Sequence, residues 1–396
     1  MPAKLNLAGA DNFVLQEAIG TYADEAYTNA RKLTSTGIVA PSNPDIDTNT
    51  ETFIGQMRWF KPMNPTINVA SLTDPTAGTP STYSSDFARY IKTVRTYGGT
   101  KVNLQKVVTQ VDGLAKIGRD FAEHRAQDEH DALLAILRGV AISEAIYGAA
   151  AGSGTAGLGG QTFVNDPTSR QFGFYVDLGA SKAVVDATTT VQGAARAEGF
   201  LRAFGMAYKD YEPEYAYLVT SPEMMASFRS ANLVDQDKVT DGNVDFNTIF
   251  QGKFRLIQTR ATQSLSTAEL TKINTGAGVD IVGTKLSFIV LPGAVAMEPL
   301  MIDEDVEIDR NAGAYKGGGT TTIWNRWGYV GHPAGYDWAG VDAAFPSNAD
   351  YQAVIEGATQ RALTAVVSGT LASTTGVWLR KASSALSLGI LPVFHS

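Results

Sequence analysis

GLAKIGRDFAEHRAQDEHDALLAILRGVAISEAIYGA, residues 113 to 149, carries the marks of one continuous helix. It has no proline and is rich in Ala, Leu, Arg, Glu and Gln, residues that lose little on entering a helix. Its 37 residues would run ~55 Å at ~1.5 Å per residue. A domain of about 150 residues has a radius of gyration of only ~15 Å, so such a helix spans several layers or projects. Leu114, Ile117 and Phe121 mark one apolar stripe, and Leu133, Ile136, Leu137, Val140 and Ile146 mark another. Between them EHRAQDEHD, Glu123 to Asp131, is polar on nearly every side, with Arg125 and Glu129, and Asp120 and His124, four apart. The pattern predicts a strut, anchored at both ends and solvated in the middle.

On either side of this helix the chain changes character. Residues 1–51 read as an arm: a short amphipathic helix from Phe13 to Leu33, then TSTGIVAPSNPDIDTNT, which has turn chemistry and little to bury. Residues 52–112 read as two long strand-like runs joined by a loop containing Pro75 and Pro80, with Pro62 and Pro65 interrupting the first run. This hairpin holds seven basic residues against three acidic ones, a net of +4 in a chain whose total is −8. A long hairpin with little core of its own is marginally stable alone, so it is expected to lie on something else.

After the helix, AGSGTAGLGG contains G-x-G-x-x-G at Gly152, Gly154 and Gly157. A dinucleotide fingerprint needs a strand before it and a helix after it, and here the order is wrong, so a connection is the better reading. Residues 181–299 read as an α/β layer. A helix is expected over Val191 to Tyr208 and a strand over Tyr215 to Thr220. Ser221 and Pro222 then form a cap-and-first-turn pair, and GKFRLIQTR and KLSFIVLPGAVAM read as strands. MIDEDVEIDR, Met301 to Arg310, alternates with period two and sets Asp303, Asp305, Glu307 and Asp309 on one face. TTTIWNRWGYVGHPAGYDWAG reads as a strand ending in a proline–glycine turn. The tail has a helical patch around Asp350 to Val367 and an apolar closing strand, LSLGILPVFH.

Composition narrows the function classes. Hydrophobic content of 44% with 18% charged residues fits a folded chain of two or three domains, or of one domain with large extensions. With no cysteine there is no disulfide framework, thiolate metal site or cysteine nucleophile. The start, MPAKLNLAGADNF, lacks the features of a signal peptide, and Arg138 and Glu144 interrupt the most apolar window, so no membrane role is expected. The net charge of −8 argues against a general nucleic-acid binder. The four histidines are scattered, and His124 and His130 fall roughly 240° apart on one helix, too far round to chelate one ion. No P-loop, H-E-x-x-H or G-x-S-x-G elbow is present in the sequence, and no catalytic, cofactor or metal residue is assigned.

An arm, a long two-stranded loop, a spine-like helix, an α/β layer and a returning strand region follow one another in a specific order. That order resembles the major capsid proteins of tailed bacteriophages, with the Hong Kong 97-type fold. MAYKDYEPEYAYLVTSPEMMASFRSANLVDQ, GKFRLIQTR, WGYVGHPAGYDWAG and WLRKASSALSLGILPVF resemble local pieces of these coat proteins. The element order covers nearly the whole chain and the local pieces about a quarter of it.

The resemblance implies an α+β capsid fold. Residues 1–51 would be the N-terminal arm and 52–112 the extended loop. Residues 113–180 would be the spine helix and a connecting part of the peripheral domain. The axial domain would span 181–299, and 300–396 would hold the rest of the peripheral domain and the C-terminal strand. It implies a structural subunit, not an enzyme and without a cofactor, which assembles with itself as pentamers and hexamers into an icosahedral head. Portal and scaffold proteins, and in some cases a cement protein, would be partners. Double-stranded DNA would be enclosed without sequence-specific binding, in a virion assembled in the host cytoplasm. The crosslinking lysine–asparagine pair of one branch cannot be placed on this sequence. Between subunits, Arg89, Lys92 and Arg95 of the loop are expected against Asp303, Asp305 and Glu307. An encapsulin-like compartment shares the fold and is the near alternative. An α/β enzyme built on 181–299 is the alternative from a different class, and it leaves the arm, hairpin and strut unexplained.

Overall fold

The computed structural model describes residues 36–40, 46–48, 52–60, 85–103, 113–150, 176–177, 200–201, 204–205, 208, 213–230, 232–235, 239–241, 244–259, 264–271, 284–302, 305–340, 345–356, 374–380 and 389–395. In chain order these give β1 (Ile54–Phe60), β2 (Ser85–Val102), α1 (Gly113–Ala150), β3 (Val176–Asp177) and β4 (Ala216–Thr220). Then come α2 (Pro222–Ser230), β5 (Val239–Asp241), β6 (Val244–Ile249), β7 (Phe254–Gln258), β8 (Lys285–Val290) and β9 (Val295–Pro299). The last part holds β10 (Val306–Asn311), β11 (Thr320–Pro333), β12 (Tyr336–Trp338), β13 (Val354–Glu356), β14 (Thr374–Gly376), β15 (Trp378–Arg380) and β16 (Ile390–His395).

Two larger sheets share α1. The five-stranded sheet runs β1-β2-β11-β10, with β9 also on β11, and every pairing in it is antiparallel. The seven-stranded sheet runs β3-β16-β8-β4-β7-β6-β5. In it β4 and β7 are parallel, as are β3 and β16, and the other pairs are antiparallel. The chain crosses between sheets twice in its later part. β9 leaves the α/β layer for the five-stranded sheet, and the C-terminal β16 inserts between β3 and β8.

The seven-stranded sheet buries both faces because its strands alternate between two cores. Tyr217, Val219, Leu286, Phe288, Val290, Ile390 and Phe394 face the α1 side. Ala216, Leu218, Phe254, Leu256, Ile289, Leu391 and Val393 face the other side, where Phe200, Phe204, Tyr208, Met224, Met225 and Phe228 cover them. α2 begins as its sequence predicts: the Met224 N–H donates to Ser221 Oγ at 3.3 Å, and Pro222 occupies the first turn.

The expectation of a solvated strut is corrected. From Ala132 to Ala145 every α1 residue except Arg138 is buried, which is how a helix with apolar residues all round behaves. Its neighbours come from both sheets and from the Tyr351, Trp338 and Trp378 cluster. In the polar middle Glu123, His124 and Gln127 are exposed, as expected, but other positions are covered. Ala126 and Glu129 are buried, and Asp128 accepts hydrogen bonds from Trp327 Nε1 at 3.1 Å and Tyr329 Oη at 3.3 Å. The expected helix at Asp350 to Val367 also differs. Asp350–Gln352 is a single 3₁₀ turn and Val354–Glu356 pairs with β14, while 357–367 lie outside the described residues. Val354 and Ile355 are β-branched and suit a strand. Of the expected helix 191–208, residues 200–201 and 204–205 are helical. The first-arm helix and the glycine run 151–160 lie outside the described residues.

Gly139 marks the closest approach to α1: a Cβ there would lie 2.0 Å from the Tyr351 carbonyl oxygen, which is backbone and cannot step aside. Gly205, in an exposed helical turn, has open space around it. Gly139→Ala is expected to cost ~1–3 kcal/mol by overpacking. Gly205→Ala should be neutral or stabilising by up to ~1 kcal/mol. Urea midpoints at unchanged m-value check both.

His332 on β11 is buried, with its ring edge-on to Trp378 at a centroid distance of 5.7 Å. Burial pushes its pKa down to about 4, against a smaller upward pull from the Tyr336 backbone. The unfolded histidine titrates near ~6.5. As pH falls from there toward 4, the unfolded chain takes up a proton that the folded chain refuses. Stability therefore falls across that window by up to ~3 kcal/mol and levels off below it. His332→Phe should flatten this part of the stability–pH curve, as followed by thermal unfolding of dissociated subunits.

Candidate functional site

Among the described residues the polar groups that come together form structural seams, and the exposed chemistry lies on the five-stranded sheet. β2 and β11 set odd-numbered residues toward α1 and even-numbered ones away from it. On the α1 side, Tyr97 packs edge-on to Phe121, Ile323 joins Phe121 and Val306, and Trp327 and Tyr329 reach Asp128. Arg95 Nε sits 3.5 Å from Asp128 Oδ1, and Arg95 Nη2 donates to Asn348 Oδ1 at 3.3 Å. Next along β2, Thr93 shares a short buried hydrogen bond with the Tyr351 hydroxyl. Burial pushes Tyr351 up to about 12 and raises Tyr329 too, so both stay neutral and Tyr329 can donate to Asp128. This seam ties β2, β11, α1 and the 345–352 segment together.

The opposite face of the same sheet is partly open. Trp324, on β11, lies across Gly98 of β2, where a Cβ would come within 2.6 Å of the indole ring. Trp324 is 42% exposed. Thr100 and Thr322 hydroxyls meet beside it at 3.0 Å. β10 borders this face, with Val306 buried and Glu307 and Asp309 exposed, as is Asp305 just before the strand, as the period-two pattern predicts. Glu307 pairs with Arg326.

The six residues expected at an inter-subunit contact occupy different settings. The Arg89 backbone N–H donates to Asp337 Oδ1 at 2.6 Å, and its Nε lies 3.5 Å from the same oxygen. Arg95 is engaged by Asp128 as above. Lys92 is buried on the other face of β2; desolvation lowers its pKa, opposed by the nearby Asp47 carboxylate. Asp47 is held there by Tyr90, whose hydroxyl accepts from its N–H at 2.9 Å. Asp305 and Glu307 are exposed, and Asp303 lies outside the described residues. Trp324 was not singled out by the sequence reading. Its place between Thr322 and Arg326 on the outward positions of a strand is the signal that could have found it.

Among the described residues one serine–histidine hydrogen bond occurs. Ser287 Oγ lies 2.9 Å from His395 Nε2, and Thr220 Oγ1 lies 2.9 Å from Ser287 Oγ. All three residues are buried inside the seven-stranded sheet, where a substrate cannot reach the hydroxyl. The pair satisfies polar groups within a core. Among the described residues no cluster of three metal-binding side chains occurs, and no helix is long and apolar enough to cross a membrane.

No family model and no curated protein matches this sequence. Among solved structures the chain is similar to the capsid of Ralstonia phage GP4, at 13% identity and a TM-score of 0.47, covering 78% of this chain and 87% of that one. It is similar to the Cyanophage Pam1 capsid asymmetric unit at 11% identity and 0.41, covering 93% and 92%. It is also similar to the head structure of Helicobacter pylori bacteriophage KHP40 at 9% identity and 0.43, covering 81% and 89%.

Proposed function

We propose that this chain is the major capsid protein of a tailed bacteriophage, with the Hong Kong 97-type fold, which assembles with copies of itself into the icosahedral head. The observation that carries the reading is the length and two-ended exposure of β2. Its 18 residues run ~60 Å, about three times a typical strand. It pairs with β1 at one end and β11 at the other. Exposed aromatic side chains stand at both ends, Phe87 on the hairpin and Trp324 on the outer face. A strand of this length that carries partly exposed aromatic rings at its two ends presents surface suited to contact with neighbours.

In this reading residues 1–51 are the arm, 52–112 the extended loop and 113–180 the spine helix with its connection. Residues 181–299 form most of the axial domain, and the remainder completes the peripheral domain and the closing strand. The protein is a structural subunit without catalysis or cofactor, in keeping with the buried setting of Ser287 and His395. It forms pentamers and hexamers, works with portal and scaffold proteins and in some shells a cement protein, and resides in the virion after assembly in the host cytoplasm. Its net charge of −8 suits a container whose wall must not trap the DNA being packed. In the expected inter-subunit contact, Asp305 and Glu307 supply the acidic side. Arg89 and Arg95 act by fixing the root of the loop through Asp337 and Asp128.

Electron microscopy of the purified protein beside its sedimentation profile tests this directly. Closed shells are expected, with or without added scaffold, and nucleic acid inside particles from infected cells distinguishes a virus from a protein-filled compartment. A monodisperse monomer or dimer at every concentration, with scaffold present, overturns the reading.

A further inference from the structure

Arg138 is the one residue between Ala132 and Ala145 that is not buried, and its guanidinium meets a short strap, residues 264–271. Residues 267–271 of the strap make a single helical turn, with the Leu270 N–H donating to the Ser266 carbonyl at 2.9 Å. Leu265 is buried in the same apolar cluster as α1, and Leu270 packs against that cluster.

One carboxylate oxygen joins the strap to the helix. Ser266 and Glu269 form a capping box: the Glu269 N–H donates to Ser266 Oγ at 3.2 Å, and the Ser266 N–H donates to Glu269 Oε2 at 2.7 Å. The same Oε2 accepts from Ser266 Oγ and from Arg138 Nη2, each at 2.7 Å. Desolvation acts to raise the Glu269 pKa, and the Ser266 hydrogen bonds with the Arg138 charge outweigh it, so the carboxyl titrates below its ordinary range. Three donors on one atom let go together, so the helix cap and the grip on α1 are a single joint.

Elsewhere the strap is lightly held. The Leu265 N–H donates to the Thr284 carbonyl at 2.8 Å, and Ser264 bridges to Lys285 at the start of β8. Ser264, Ser266, Thr267, Ala268 and Thr271 are exposed. A single helical turn has no stability of its own. Arg138 Nε is buried without a hydrogen-bond partner among the described residues, so the guanidinium leans on Glu269 as well.

We infer that residues 264–271 are a clasp between α1 and the seven-stranded sheet, which opens and closes as a unit about the Glu269 carboxylate while the core beneath stays folded. Closed, it fixes the flank of α1 to the start of β8. Open, it uncovers Leu265 and Leu270 and frees the Arg138 guanidinium. The clasp belongs to the single subunit and stands or falls apart from the shell reading.

Amide hydrogen exchange of the full-length dissociated subunit, followed by mass spectrometry, tests it. In the wild type, protection of 265–271 should lie at least about tenfold below that of Ala132 to Ala145, the mark of an opening smaller than global unfolding. Glu269→Gln should lower protection of 265–271 by about a further tenfold and leave Ala132 to Ala145 unchanged. Arg138→Met should have a smaller effect, and none when added to Glu269→Gln, because the grip is already lost. Ser266→Ala, which keeps the ion pair and loses part of the cap, should fall between wild type and Glu269→Gln, and it decides the matter if the glutamine chain does not fold. A wild-type strap that exchanges as slowly as α1 overturns the clasp. So do variants that leave 265–271 as protected as before, or that speed α1 by the same factor.

Discussion

Every larger feature of this molecule leans on the burial of one helical segment, Ala132 to Ala145 of α1. A helical segment that is apolar on nearly every side, with only Arg138, Ser143 and Glu144 as exceptions, must be enclosed, and no single sheet can enclose it. The seven-stranded sheet covers it from one side, and the five-stranded sheet and the Trp338, Trp378 and Tyr351 cluster complete the enclosure. This sets where the strands must run: β16 returns into the larger sheet between β3 and β8, and β9 crosses from one sheet to the other. With the core spent in this way, the far ends of β2 and β11 have α1 on one face only.

Polar groups then orient what the apolar core holds. Asp128 gathers the Trp327 indole N–H, the Tyr329 hydroxyl and the Arg95 guanidinium at the point where the helix leaves the main core. Arg89 and Asp337 repeat the device nearer the hairpin, and Tyr90 ties the 46–48 segment to the same strand. Surface ion pairs contribute little on their own, but hydrogen bonds to a half-buried carboxylate are directional. They fix the angle at which β2 leaves the core, and so the direction in which the hairpin points.

Local chemistry was legible in the sequence. The alternation of Val306 to Asp309, the Ser221–Pro222 helix start and the proline–glycine turn after β11 all depend on neighbours within a few residues. The long helix was legible for the same reason, but its surroundings were not. Asp128 looks like one more charge on a solvated face until Trp327 and Tyr329, some two hundred positions away, are brought against it. The partners of the β2 basic residues within the chain were hidden in the same way: their charge was visible, while the carboxylates beside Arg89 and Arg95 come from Asp337 and from α1. Trp324 was passed over because an aromatic in a strand reads as core, and only the position of α1 reveals which face is open.

The claim at the centre of this account is that one buried helical segment holds the subunit together while its sheet edges wait for other copies. Amide hydrogen exchange, compared between dissociated subunits and assembled particles, tests both halves at once. The account predicts equally slow exchange for Ala132 to Ala145 in the two states, and a marked slowing on assembly in the edge strands β1 and β10. Fast exchange along that helix in the dissociated subunit, or edge strands that do not change on assembly, would contradict it.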